Sequence, residues 1–195
     1  MINDYYEVTT PAATEPVTLI EAKAWCKKTT TDEDALITAL IRAATVKAEL
    51  FTNRVFVERT FTGFFSGLDC SNNDGVYIEL RRAPLTSVTS IKVMVDDVQD
   101  TVSTDVYDVQ EESSFSRIIF SDTSNLDPDL IPYPYEVIFI AGYGAAAAVP
   151  DPIKTAIMEI VCNWHQNRGD CGEGDEIPGI AKGILSEYRI LNTFG

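Results

Sequence analysis

Residues 32–65 read DEDALITALIRAATVKAELFTNRVFVERTFTGFF, and the hydrophobic period changes inside them. Leu36/Ile37, Leu40/Ile41, Ala43/Ala44, Ala48 and Leu50/Phe51 recur at the interval that brings side chains onto one face of an α-helix. Thr38, Arg42, Thr45, Glu49 and Asn53 trace the opposite side. Thr31 or Asp32 is placed to cap this helix, and Asp32, Glu33 and Asp34 set three carboxylates where the helix dipole favours them. From Val55 the apolar positions alternate, and the residue types become β-branched and aromatic. A chain that changes from helical to strand period in this way predicts an α+β protein. The alanines at the centre of the helix let a second helix, from the same subunit or a neighbour, approach closely.

The flanks extend this reading in both directions. Thr18 followed by Glu21 is a capping box, predicting a short helix over 19–28 before the longer one at 32–53. Ahead of it, residues 1–17, with Pro11 and Pro16, read as an extended lead-in with little to bury. Downstream, strands are expected near 55–65, 76–81, 88–95, 105–110, 116–121 and 134–141, separated by polar turns, as in a small antiparallel sheet or sandwich. Gly142-Tyr143-Gly144 ends the last strand, and Asp151-Pro152 reads as cap and first position of a helix over 152–168. That helix is apolar around most of its circumference and is expected to be the central buried one. The stretch 169–176, GDCGEGDE, reads as a mobile loop. A last helix, 179–191, places Ile180, Ile184, Tyr188 and Leu191 on one face. The expected organisation is a bundle of about four helices, from 18–54 and 150–195, interrupted by an inserted antiparallel β region over 55–141.

Composition narrows the classes. The chain has 195 residues, 45% of them hydrophobic, with 30 acidic against 15 basic side chains and a formal charge of −15. It is too apolar for a disordered polymer, and no run approaches the roughly 20 apolar residues a bilayer crossing needs. The N-terminal stretch has neither a basic start nor an apolar block, so no secretory signal is expected. The four cysteines, Cys26, Cys70, Cys162 and Cys171, form no Cys-x-x-Cys pair and are read as reduced thiols in a cytosolic setting. So acidic a protein is not built to grip phosphates, and any close contact with DNA would be slippery. Residues 55–141 hold 15 acids and 5 bases. Asp96, Asp97, Asp100, Asp105, Asp108, Glu111 and Glu112 follow one another with no base between them. Two readings stand: a solvated face that keeps sheet edges from pairing, or a surface that repels DNA or meets a basic partner.

Catalytic constellations are missing. The single histidine, His165, falls inside an apolar helix, and no Gly-x-Ser-x-Gly elbow surrounds a serine. Cys162-x-x-His165, with Cys171 and Cys26, gives only a partial zinc-like spacing, and the acids do not fall at calcium-loop positions. No Lys-Ser or Lys-Thr follows Gly142-Tyr143-Gly144, so a phosphate loop is not supported. Arg81-Arg82 and Lys27-Lys28 are too few for a nucleic-acid patch, and Trp25 and Trp164 read as core anchors. The residues point to an architectural protein with no enzymatic role, no cofactor and no metal.

The order of segments resembles a family. Val17-Thr18-Leu19-Ile20-Glu21-Ala22-Lys23, the helix from Asp32 to Phe51 leading into Thr52-Asn53-Arg54, and Ala83-Pro84-Leu85-Thr86-Ser87-Val88-Thr89-Ser90-Ile91 come first. Val137 to Gly144 then runs on to Val149-Pro150 and a helix ending Asn163-Trp164-His165-Gln166-Asn167-Arg168, followed by Ile177-Pro178 to Tyr188-Arg189. This set is similar to the head-to-tail connector, adaptor or head-completion proteins of tailed phages and gene transfer particles. The resemblance implies a structural protein of the virion neck, assembled in the host cytoplasm as a homo-oligomeric ring, by analogy of twelve copies, beneath the portal protein. Such a ring extends the DNA channel, passes double-stranded DNA without specific binding, and offers a platform to the next neck or tail-completion protein, with no membrane involved. It further implies that the C-terminal segment docks on the portal, through Ile180, Ile184, Leu185, Tyr188, Arg189, Leu191 and Phe194. A second reading of that helix is that it closes its own bundle. The alternative function is a monomeric acidic module that recognises a basic protein partner.

Overall fold

A computed structural model describes residues 4–71, 75–111, 115–124, 126, 128–167 and 177–191. The chain divides into two units, Met1–Ala12 with Glu58–Tyr143 and Ala13–Val57 with Gly144–Gly195. The first is rich in strands and the second is helical.

The helical unit contains α1 (Leu19–Trp25), α2 (Asp34–Thr52), α3 (Asp151–Gln166) and α4 (Gly179–Ser186). The capping box is present: the Thr18 hydroxyl accepts from the Glu21 N–H at 3.2 Å, and the Glu21 carboxylate accepts from the Thr18 N–H at 2.7 Å. Helix α1 stops at Trp25, short of the expected residue 28, because Lys27 turns left-handed with φ 54°. The Lys27 N–H then donates to the Ala24 carbonyl and the Lys28 N–H to the Lys23 carbonyl, closing the helix in a Schellman arrangement.

Helix α2 starts later than predicted. Glu33, rather than Thr31 or Asp32, precedes its first turn, and Asp34 alone supplies an acid there. The Asp34 N–H bonds the Thr31 carbonyl, so the residues ahead form a turn of their own. Ile37, Ile41, Ala44 and Ala48 form its buried face. Thr45, expected on the polar side, is buried too; its hydroxyl is satisfied by the Ile41 carbonyl at 2.9 Å. Asn53 ends the helix with φ 55°.

Helix α3 packs against α1, α2 and α4 and is the central helix of the unit, with Ile153, Ala156, Ile157, Ile160 and Val161 buried. Its cap position is Pro150; Asp151 is already in the first turn and Pro152 follows it, where no N–H is required. Helix α4 ends at Ser186, before the expected residue 191. Beyond it the backbone is tied to the end of α2. Ile190 N–H donates to the Thr52 carbonyl at 2.9 Å, Asn53 Nδ2 to the Ile190 carbonyl at 2.9 Å, and Arg54 Nε to the Tyr188 carbonyl at 2.6 Å. Those carbonyls and N–H groups serve a latch instead of another helical turn.

The strand-rich unit has β1 (Tyr5–Thr10), β2 (Arg59–Phe65), β3 (Asp69–Ser71), β4 (Gly75–Leu80), β5 (Leu85–Val95), β6 (Val98–Thr101), β7 (Tyr107–Glu111), β8 (Ser116–Phe120) and β9 (Tyr135–Ala141). They form two antiparallel sheets, ordered β1-β2-β9-β5-β6 and β3-β4-β8-β7. In β9, Tyr135, Val137, Phe139 and Ala141 alternate inward, the period-two pattern that the sequence shows.

Three strands were not expected: β1, β3 and β6. The N-terminal segment is not a lead-in, since β1 pairs along β2 with Tyr5 opposite Phe64. Aromatic packing holds it there: Tyr5 stacks on Phe64 at 4.6 Å, and Tyr6 meets Phe65 and Phe139 edge-on. At the other boundary, Val55, Phe56 and Val57 are buried and belong to the helical unit, so β2 begins at Arg59 rather than 55.

Candidate functional site

The candidate sites are surfaces. At the C-terminal segment of the helical unit, the two faces of α4 differ. Ala181 and Leu185 are wholly buried, together with Ile177 before the helix and Ile190 after it. Ile180 and Leu191 are 71% exposed, and Ile184 and Tyr188 are half-buried. The Arg189 guanidinium sits 5.0 Å over the Phe51 ring. Leu185 therefore does not present itself to a partner: it lies on the face that α4 turns toward its own unit. Phe194 lies outside the described residues. The segment closes its own bundle with one face and leaves Ile180 and Leu191 exposed on the other.

The acidic candidates lie on turns and edges of the strand-rich unit. Asp96 and Asp97 make the β5–β6 turn, both with positive φ, 50° and 62°. The Asp129 carboxylate accepts from their two N–H groups at 3.0 and 2.9 Å, which offsets the cost of that conformation. Asp100 lies on β6, Asp105 in a short 3-10 turn, and Asp108 and Glu111 on β7. All six are exposed, and no ion pair among the described residues engages them. Asp100 also borders a cavity of about 270 Å³ that holds Asp122 as well. Glu112 lies outside the described residues.

Two features escaped the sequence reading. Helix α2 carries a second apolar stripe on the side away from its core, where Ala43, Val46 and Leu50 line a groove of about 510 Å³ with Trp164, Arg42 and Lys47. The four-three-four spacing of Ala39, Ala43, Val46 and Leu50 was the available signal; it was hidden because α2's apolar positions were read as one face. The other feature is the loop before β9, where Leu130 is 106% exposed beside Ile131. Trp25, expected in the core, is 43% exposed and donates its indole N–H to Glu159 at 3.2 Å; Trp164 lines the groove.

The metal-like spacing is taken up otherwise. His165 is buried, with Nε2 2.9 Å from the Glu33 carboxylate. Burial, then the neighbouring Cys162, pushes the Cys26 thiol up to about 12, so it is protonated at neutral pH. Among the described residues no group of three His, Cys, Asp or Glu is arranged to hold a metal ion, and Cys171 lies outside them. Among the same residues, no helix is long and apolar enough to cross a membrane.

No family model matches this chain and no curated protein is similar to it. Solved structures are. A chain in the neck of an empty GTA particle, computed with C6 symmetry, superposes with a TM-score of 0.78 at 20% identity, covering 98% of both chains. A chain in the virion of a native gene transfer agent particle gives 0.74 at 19% identity over 97% of each, and one in the neck of a native GTA particle, computed with C12 symmetry, gives 0.73 at 18% over 98% of each. The α+β fold, both units included, is shared with these chains from end to end.

Proposed function

We propose that this chain is a structural subunit of a particle neck, forming a ring, by analogy of twelve copies, that joins the portal to the tail and extends the DNA channel. One observation carries this reading: the likeness to chains of gene transfer agent necks runs over 98% of this chain and of theirs, leaving no large domain unmatched on either side. The surfaces described above support it. Exposed Ile180 and Leu191 offer an apolar edge suited to docking on a portal, and the exposed acids disfavour adhesion of DNA. The role is non-enzymatic, located in the virion neck.

Removing the gene from a genome that produces the particle is expected to give heads that package DNA but carry no tails by electron microscopy. Normal tailed particles without this protein would end the proposal. The docking assignment is tested separately. Ile180→Asp with Leu191→Asp, both at exposed positions, is expected to abolish co-sedimentation with portal-bearing heads while leaving the thermal transition in place. Undiminished co-sedimentation would move the docking surface elsewhere.

A further inference from the structure

The end of α1 and the second half of α3 meet through two adjacent pairs of side chains. Trp25 donates its indole N–H to the Glu159 carboxylate at 3.2 Å, and at the next residue the Cys26 thiol is hydrogen-bonded to the Cys162 thiol. Glu159 and Cys162 are three apart on α3 and share a face, which is why consecutive residues at the end of α1 reach both. Each sulfur is held by its surroundings. Cys26 is buried, and its N–H donates to the Ala22 carbonyl at 3.0 Å as the cap of α1. Cys162 is half-buried, so a small molecule can meet it, and Gln166 Nε2 donates to its sulfur at 3.3 Å from one turn further along α3.

Two thiols in contact can serve a metal or a disulfide. Among the described residues no third His, Cys, Asp or Glu completes a metal-holding group with them. Contact between sulfurs on two packed helices is what a disulfide needs, and α1 already packs on α3 with both thiols free.

We propose that Cys26 and Cys162 are a redox-switched pair, reduced while the chain is in a reducing compartment and joined as a disulfide that ties α1 to α3 once it meets a small-molecule disulfide outside. The pair stands or falls independently of the ring. A cytoplasm keeps such thiols reduced, and a particle released from the cell leaves that protection. The exchange runs in two steps. The more accessible Cys162 sulfur, as thiolate, attacks one sulfur of the small disulfide, whose S–S bond breaks and releases one thiol. The Cys26 sulfur then gives up its proton and attacks the Cys162 sulfur of the mixed disulfide, and the second small thiol leaves. Two protein thiols are oxidised, one disulfide is reduced to two thiols, and the two protons end on those thiols. The second step is the slow one, because burial above all holds the Cys26 thiol up at about 12 and its thiolate is scarce at neutral pH. The new bond closes a loop over residues 27–161, which contains the whole of segment 58–143 of the strand-rich unit, so its constraint on the unfolded chain is large.

The full chain with Cys70→Ser and Cys171→Ser keeps the pair as its only thiols. After oxidised glutathione at mildly alkaline pH, intact mass is expected to show the loss of two hydrogens, peptide mapping a link between Cys26 and Cys162, and the thermal transition a rise of about 5–15 °C that dithiothreitol reverses. Adding Cys26→Ser, with circular dichroism to check the fold, is expected to stop the reaction at one glutathione adduct on Cys162 with no such rise. Thiols that stay free, adducts on Cys162 that never resolve while Cys26 is present, a rise that persists in Cys26→Ser, or a linked chain whose transition stays put or falls would each overturn the pairing.

Discussion

The strand-rich unit, Met1–Ala12 with Glu58–Tyr143, carries 17 acidic and 5 basic residues, a net of −12; the helical unit carries 13 and 10, a net of −3. Folding does not demand this difference, because both units rest on cores of the same kind: Ile78, Ile118 and Phe139 in one, Ile153, Ile157 and Ile160 in the other, all fully buried. Five of the seventeen acids lie on sheet edges. Edge strands β1, β3, β6 and β7 present Glu7, Asp69, Asp100, Asp108 and Glu111, none in an ion pair among the described residues. On interior strands, by contrast, Glu136 pairs with Lys92 at 3.0 Å and Glu79 with Arg81 at 3.1 Å and Arg117 at 3.8 Å. Unpaired acids at edges discourage strand addition from other chains. The helical unit, nearer neutrality, keeps its exposed apolar positions usable for contact.

The sharpest way to break this comparison is to show that one unit does not depend on its core. Phe139→Ala removes a ring stacked on Phe61 at 5.5 Å and is expected to cost about 3–5 kcal/mol in urea unfolding. Ile160→Ala in α3 should cost about 2–5 kcal/mol. A loss below about 1 kcal/mol at either position would mean that the corresponding core is not what holds its unit.

A smaller effect concerns the latch behind α4. Arg54 holds the Tyr188 carbonyl through a charged donor, and Arg54→Ala is expected to lower stability by about 1.5–3 kcal/mol. Hydrogen exchange should quicken at Ile190, whose N–H bonds Thr52. Unchanged exchange there would mean that the buried Leu185 and Ile190 hold the segment unaided.

That latch also marks where sequence reading ran out. The helices were legible because their signals are local: Thr18 with Glu21, and the repeating apolar positions of α2 and α3. The six longer strands were legible for the same reason. Strand β1 was not, because its partner lies more than fifty residues away and nothing near Tyr5 and Tyr6 announces Phe64, Phe65 or Phe139. The end of α4 was missed likewise, since Thr52, Asn53 and Arg54 are remote in sequence from Tyr188 and Ile190. At the candidate site, Ile180, Ile184 and Tyr188 were placed on one apolar face by spacing alone. The same spacing sets Leu185 with Ala181 on another face, which the docking set overlooked, whereas nothing local announces that Leu130 stands exposed.

Next in size is the cap of α1. Thr18→Ala removes the hydroxyl that accepts from Glu21 N–H and should cost about 1 kcal/mol. In the intact protein the Thr18 hydroxyl, and then the Thr18 N–H, hold the Glu21 carboxyl below its ordinary 4.5. A carboxyl lowered in the folded state adds stability above its unfolded value, and that contribution disappears as the pH falls through the folded value. In the variant the Glu21 titration, followed by NMR, should move up toward 4.5. A titration that does not move would assign the shift to something other than this cap.

The smallest expected effect is the most telling about the acidic unit. Asp108 and Glu111 lie on the edge strand β7, exposed and outside any ion pair among the described residues, so their charges are not part of what holds the sheet. Neutralising both, as Asp108→Asn with Glu111→Gln, should therefore change stability by no more than about 0.5 kcal/mol. What should change is behaviour toward other chains. With fewer charges on an unpaired edge, light scattering at high protein concentration is expected to report more association, since repulsion is what kept the edge apart. A large loss of stability with no change in association would reverse the argument, making these acids structural members of the sheet and leaving its edges protected by something else.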